Sequence, residues 1–170
     1  MEKISVFEIF KIGIGPSSSH SMGPWNAAKD FIKIVNQTCD IKNINTIDVV
    51  LYGSLAKTGK GHGTDKAVMM GLMGYEVESF KPELLNENIK IINNNKKINF
   101  NRKREIPFDP AKNIIFNYDK KTLIHANTID FILSYDNKKK HVVTYYSIGG
   151  GFIKREGKSG QFVDKSDIPY

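Results

Sequence analysis

Two loops rich in glycine and hydroxyl side chains, each running straight into a helical pattern, constrain this chain more than any other feature. The first reads Gly13-Ile14-Gly15-Pro16-Ser17-Ser18-Ser19-His20-Ser21-Met22-Gly23-Pro24. Beyond it, Trp25, Ala28, Phe31, Ile32 and Val35 recur at the spacing of one helix face. Pro24 suits the first turn of that helix, where a missing N–H costs nothing. The second loop, Gly53-Ser54-Leu55-Ala56-Lys57-Thr58-Gly59-Lys60-Gly61-His62-Gly63-Thr64-Asp65, follows an alternating stretch, 46–54, that predicts a strand. It leads into a helix through Ala67, Val68, Met70 and Leu72, with Thr64 or Asp65 as the expected cap and Gly74 as the stop.

The remaining chain is read more coarsely. Residues 5–11 form a short apolar stretch, 82–92 predict a short helix, and Asn93-Asn94-Asn95 predicts a turn. Phe108-Asp109-Pro110 breaks the chain again. Strands are expected over 113–118, 128–135 and 141–148, the last two joined by a hairpin turn at Asp136-Asn137-Lys138-Lys139. Gly149-Gly150-Gly151 interrupts, and Phe152-Ile153 resumes a strand. Helices early and strands late imply an α+β domain, with a mixed or antiparallel sheet and helices packed on one face. Residues 1–160 are expected to form one domain and 161–170 the start of a linker.

Composition removes several classes. With 25 Lys and Arg against 18 Asp and Glu, the net charge is +7, which raises nucleic-acid binding. The basic runs Lys96-Lys97, Arg102-Lys103-Arg104 and Lys138-Lys139-Lys140 fall in Asn-rich or turn-like stretches, so they read as solvated loops. No zinc-finger spacing or RNA-binding signature accompanies them. No stretch approaches the ~18–20 consecutive apolar residues of a membrane span. The N-terminus carries Glu2 early and has no long apolar block, so no secretory signal is read and a cytoplasmic location is expected. The single Cys39 excludes an internal disulfide and any metal centre built from several thiolates of this chain. It has no adjacent base and reads as inert.

The loops carry the chemistry. Ser17, Ser18, Ser19 and Ser21 place hydroxyls beside backbone N–H groups at a helix start, which suits a carboxylate or phosphate and equally a plain serine cap. Nucleotide motifs fail: Thr58 stands where a phosphate loop needs its second Gly, and Lys60 is followed by Gly61. His62, between Gly61 and Gly63, can be approached closely and can take a proton near neutrality. His20 sits in the analogous loop. His125 and Asn127 stand two apart and would share one side of an extended segment. His141 reads as structural. The histidines lack helical metal-ligand spacing, no Gly-x-Ser-x-Gly elbow is present, and nothing singles out Lys57 or Lys60 as a Schiff-base lysine.

These same stretches resemble the iron–sulfur-dependent L-serine dehydratases. The first loop is similar to the opening of that family, and the second matches its next motif almost throughout. Phe108-Asp109-Pro110, His125-x-Asn127 and Tyr145-Tyr146-Ser147-Ile148-Gly149-Gly150-Gly151-Phe152 follow in the family's order. Ser21 replaces the usual Thr, and Ala126 and Thr128 replace the usual Pro and Gly around Asn127. The resemblance implies the beta domain, or beta chain, of an L-serine ammonia-lyase that forms pyruvate and ammonia in amino-acid degradation. It implies a [4Fe–4S] cluster held by cysteines of a separate alpha domain, so this chain would be a truncated piece or one subunit, inactive alone, in a homo- or hetero-oligomer. It implies His62 as the base, His20 with Ser17, Ser18 and Ser19 orienting L-serine, and His125 with Asn127 completing the pocket wall. The implied fold is similar to the allosteric substrate-binding domain of some phosphoglycerate dehydrogenases. The alternative is a non-catalytic module that binds an anion or L-serine through the serine loop alone.

Overall fold

The apolar face that runs from Trp25 to Val35 buries itself as a helix, α1 (Met22–Thr38), in which Trp25, Ala27, Ala28, Phe31, Ile32, Ile34 and Val35 are all buried. The computed structural model describes residues 17–119, 125–136 and 138–156. The expected apolar stretch 5–11, the loop start Gly13–Pro16, Asn137 of the hairpin turn and the linker at 161–170 lie outside the described residues.

After a short 3-10 turn (Ile41–Asn43), β1 (Ile44–Tyr52) enters, with Ile47, Val49 and Leu51 completely buried toward the helices. The strand ends two residues earlier than expected. Gly53 adopts a φ of 57°, and the chain turns at once into α2 (Gly53–Thr58). The first half of the predicted loop is therefore helical. Only residues 59–63 form a tight turn before α3 (Thr64–Leu72). The cap of α3 is neither Thr64 nor Asp65 but Gly63, left-handed at φ 69°, because the Thr64 hydroxyl is engaged elsewhere. Gly74, at φ 78°, stops the helix as expected.

α4 (Glu83–Asn95) runs three residues past the predicted end and takes in Asn93, Asn94 and Asn95. The turn falls instead at Lys96, whose φ is 51°. A hairpin that the sequence reading passes over follows: β2 (Lys97–Phe100) pairs antiparallel with β3 (Arg104–Pro107), burying Ile98, Phe100 and Ile106. Its turn is built on Asn101 and Arg102, both at positive φ, without the Asn-Gly pair that announces such turns. Asp109 caps the short α5 (Pro110–Asn113) through its side chain, which accepts from the Ala111 N–H. Strands β4 (Ile114–Asn117), β5 (Thr128–Tyr135), β6 (Lys139–Gly149) and β7 (Phe152–Arg155) complete the described chain.

The main sheet has the order β4-β1-β5-β6-β7, with β4 parallel to β1 and the other pairs antiparallel. The fold is α+β, a mixed five-stranded sheet with helices on one side, as the order of elements implies. Phe31 of α1 stacks on Phe131 of β5 at 4.8 Å between ring centres, and Phe131 meets Tyr145 edge-on at 5.7 Å. The Tyr145 hydroxyl donates to Asp30 at 2.9 Å, and Arg155 joins the same carboxylate at 3.2 Å. Burial, reinforced by the Asp30 carboxylate, pushes the Tyr145 phenol well above its usual range.

Register decides where the ends of the strands meet. Leu51 faces Ile129, Thr128 faces Tyr146, and Tyr52 faces Asn117. The exits of β1, β4 and β6 and the entry to β5 thus share one end of the sheet. α3 packs on α1 so closely that a β-carbon on Gly71 would stand 2.5 Å from the Trp25 carbonyl oxygen and 2.7 Å from the Ala28 methyl. Gly71→Ala is expected to lower stability by about 1–3 kcal/mol through overpacking, read as a shifted urea midpoint. An unchanged midpoint would mean that the two helices part freely.

Candidate active site

Four separate stretches converge at that sheet end. The turn before α1 presents Ser17, Ser18, Ser19 and His20; α2 and the turn after it bring Ser54, Thr58 and His62; the entry to β5 brings His125 and Asn127; the exit of β6 brings Ser147.

The backbone crossings are close. Gly53 passes so near the Ala126 carbonyl that any side chain would overlap it, and the Ser54 N–H donates to that carbonyl at 2.7 Å. The Ser147 hydroxyl donates to the Ser19 carbonyl at 2.7 Å and fills the space that a β-carbon on Gly23 would need. The Ser147 N–H donates to the Asn127 carbonyl at 2.9 Å.

His20 sits at the middle, 8% exposed. Its Nδ1 lies 3.2 Å from Ser17 Oγ and 3.0 Å from Ser19 Oγ, and its Nε2 lies 3.1 Å from Ser54 Oγ and 3.0 Å from Thr58 Oγ1. The Thr64 hydroxyl donates to the His20 carbonyl at 2.5 Å, the engagement that keeps it from capping α3. The His62 ring stands 4.8 Å from the His20 ring, and its Nδ1 is buried with no hydrogen-bond partner among the described residues. Burial, and then the neighbouring His62, hold His20 below its usual range, while a backbone interaction with Ser54 acts the other way.

The first loop differs from expectation in one respect. The N–H groups of His20 and Ser21 donate to the Ser17 carbonyl and that of Gly23 to the Ser18 carbonyl, and Ser21 makes no side-chain cap. Those amides are taken up internally, so an anion would meet hydroxyls rather than a free helix N-terminus. The third motif differs too. Residues 126–127 form a bend rather than an extended strand, so alternation does not align His125 with Asn127. Instead the Asn127 N–H donates to His125 Nδ1 at 3.0 Å, and the Asn127 side-chain amide reaches the Ser147 carbonyl at 3.4 Å. His125 lies 6.0 Å from the Tyr146 ring, and burial lowers its affinity for a proton. Asn127 Oδ1 is buried without a partner among the described residues.

Ser54, Thr58, Thr64 and Ser147 are the site residues that sequence reasoning missed. All four lie inside the quoted motifs, where attention went to the histidines. Cys39 is elsewhere: it follows α1, and its thiol is pushed up by burial and by Asp136, beyond the far end of β5. Among the described residues, no group of three or more His, Cys, Asp or Glu could hold a metal ion, and no helix is long and apolar enough to cross a membrane.

Comparison with known proteins gives the family. The family model described as serine dehydratase beta chain matches residues 5–158. This chain belongs to the serine dehydratase beta-chain family. It is similar to an L-serine dehydratase of Helicobacter pylori, 42% identical over 164 residues, which cover 92% of this chain and 34% of that protein. It is similar to one of Streptomyces coelicolor, 38% identical over 159 residues, covering 92% and 35%. It is also similar to L-serine dehydratase 2 of Escherichia coli, 40% identical over 161 residues, covering 93% and 35%. The chain therefore spans about a third of the length of the curated relatives it matches.

Burial lowers His20 and His125 alike from the ordinary value of 6.5. A depressed folded value means that the folded chain binds fewer protons than the unfolded chain in mild acid. This stabilisation is fully present above 6.5 and is lost as pH falls through the lower folded values. Urea midpoints are expected to rise from about pH 5 to 7, with a shallower rise in His20→Gln. A flat profile in the native chain would contradict the burial of these rings.

Proposed function

We propose that this chain is the beta part of an L-serine dehydratase, converting L-serine to pyruvate and ammonia, and that it lends imidazole and hydroxyl groups to a [4Fe–4S] centre carried by a separate alpha part. One observation carries the reading. His62, with a buried and unpartnered Nδ1, stands against a His20 whose two ring nitrogens are held by hydroxyls from two different motifs. A ring nitrogen with no committed partner beside an imidazole held on both sides is an arrangement suited to proton abstraction.

The residues divide the work. His62 takes the proton from Cα of L-serine. A neutral His20 beside it lets His62 hold that proton without a second positive charge 4.8 Å away. Ser17, Ser18, Ser19 and His20 orient the substrate's carboxylate and hydroxyl. His125 and Asn127 close the wall, with Asn127 Oδ1 available to accept a hydrogen bond. Loss of the hydroxyl leaves aminoacrylate, which tautomerises to an imine and hydrolyses to pyruvate and ammonia. Among the described residues there is no ligand set for the cluster, and the chain's single cysteine lies beyond the far end of β5 from His20, His62 and His125. In the alpha part the cluster would supply Lewis-acid help to the departing hydroxide.

Mixed with the matching alpha part, the chain is expected to restore pyruvate release from L-serine, and alone to give none. His62→Ala should cut the restored rate by about 10²–10⁴-fold while leaving the circular dichroism and urea midpoint unchanged. A fully active variant removes His62 as the base. Tight binding of L-serine to the isolated chain by calorimetry, with no activity on mixing, would favour the binding-module reading instead.

A further inference from the structure

The stretch Ile148-Gly149-Gly150-Gly151-Phe152, between β6 and β7, takes no part in the chemistry above. Its three glycines stand at φ values of 99°, 59° and 78°, a region that glycine alone enters cheaply. The turn is nevertheless held. Asn26 Nδ2 of α1 donates to the Gly151 carbonyl at 2.9 Å, and a β-carbon on Gly151 would stand 2.8 Å from the end of Met22. What this held turn shows to solvent is apolar. Phe152 is 71% exposed, with its ring so close to Gly150 that a β-carbon there would stand 3.2 Å from it, and Ile148 is 45% exposed. An exposed aromatic on an ordered turn is prepared for contact, because little freedom is lost when a partner covers it.

Position says what that partner is. β6 leaves and β7 enters at the sheet end that carries His20, His62 and His125, and β4 leaves there too, followed by Tyr118, 61% exposed. Among the described residues, three of the six exposed large apolar side chains therefore rim this one end. β4 and β7 are the two edges of the sheet, four strand spacings or about 19 Å apart. A small ligand does not bridge that span, whereas a protein surface of ordinary interface size, about 800 Å² a side, does. The occupant must also complete the site. A second copy of this chain brings one more cysteine and, among the described residues, no group that could hold a metal. We propose that Ile148 and Phe152 on the β6–β7 turn, with Tyr118 at the opposite edge, form the rim on which the cluster-bearing alpha part docks. The partner's face is accordingly apolar where it covers Phe152. The identity of the occupant rests on the dehydratase reading; the rim is a property of the chain itself.

The test is a titration of the 170-residue chain with the matching alpha part, prepared without oxygen, followed by calorimetry and by pyruvate release from L-serine. The native chain should bind. Phe152→Asp and Ile148→Asp should each raise the Kd about 10–100-fold with an unchanged circular dichroism spectrum. At saturating alpha part both should reach the native rate, which separates docking from catalysis. Ile91→Asp, at a side chain 46% exposed on α4, should bind as the native chain does. Native affinity in both rim variants overturns the inference, as does a native chain that fails to bind. So does a native chain that dimerises by sedimentation and is made monomeric by Phe152→Asp, since a second copy is then the occupant. If Phe152→Asp fails to fold, Ile148→Asp and Tyr118→Asp decide in its place. Rim-dependent binding without pyruvate release removes the proposed activity and leaves the docking surface standing. Pyruvate release with a Kd indifferent to the rim does the reverse.

Discussion

The Ser147 hydroxyl, lodged between Gly23 and the Ser19 carbonyl, is the contact on which the site depends. It joins the start of α1 to the end of β6, and its backbone N–H joins β6 to the turn that carries His125 and Asn127. Gly23 has no side chain because that hydroxyl occupies the volume. Gly53 makes a second crossing of the same kind, where a left-handed residue lets α2 run under the Ala126 carbonyl. With these two crossings made, the first helix, the second motif and the third are fixed relative to one another to within hydrogen-bond lengths. The histidines then have little freedom left.

Burying polar groups at such a place is costly unless each finds a partner. His20 meets that demand four times over with neutral hydroxyls. No carboxylate is among those four partners. Burial among neutral partners therefore favours the uncharged ring. His62 lacks such a cradle at Nδ1, and this difference separates the two imidazoles, although each comes from a glycine-flanked or glycine-adjacent loop.

Much of this was legible in the sequence, for reasons that differ by element. The apolar spacing from Trp25 to Val35 and the alternation in β5 report burial directly, so those elements appear where they were expected. The β2–β3 hairpin was not legible, because its turn uses Asn101 and Arg102 in a left-handed conformation with no glycine to mark it. The start of the second loop was misread because Gly53 looks like the opening of a loop, yet its φ of 57° is what permits an immediate helix. His62 stood out by its two flanking glycines and by the company of His20 and His125 in similar stretches. Ser54, Thr58 and Ser147 did not, since a hydroxyl declares its role only when its partners are known, and His20 and the Ser19 carbonyl lie far away along the chain.

Ser19 and Ser147 are 128 residues apart, and the bond between them closes a loop that spans most of the described chain. Loop closure of that length is entropically late, because intervening strands must pair before the two ends are near each other. The tie between the start of α1 and the end of β6 thus forms only once β6 has paired in the sheet. A nascent chain that stops short of β6 lacks the hydroxyl that moors the turn before α1 to the sheet.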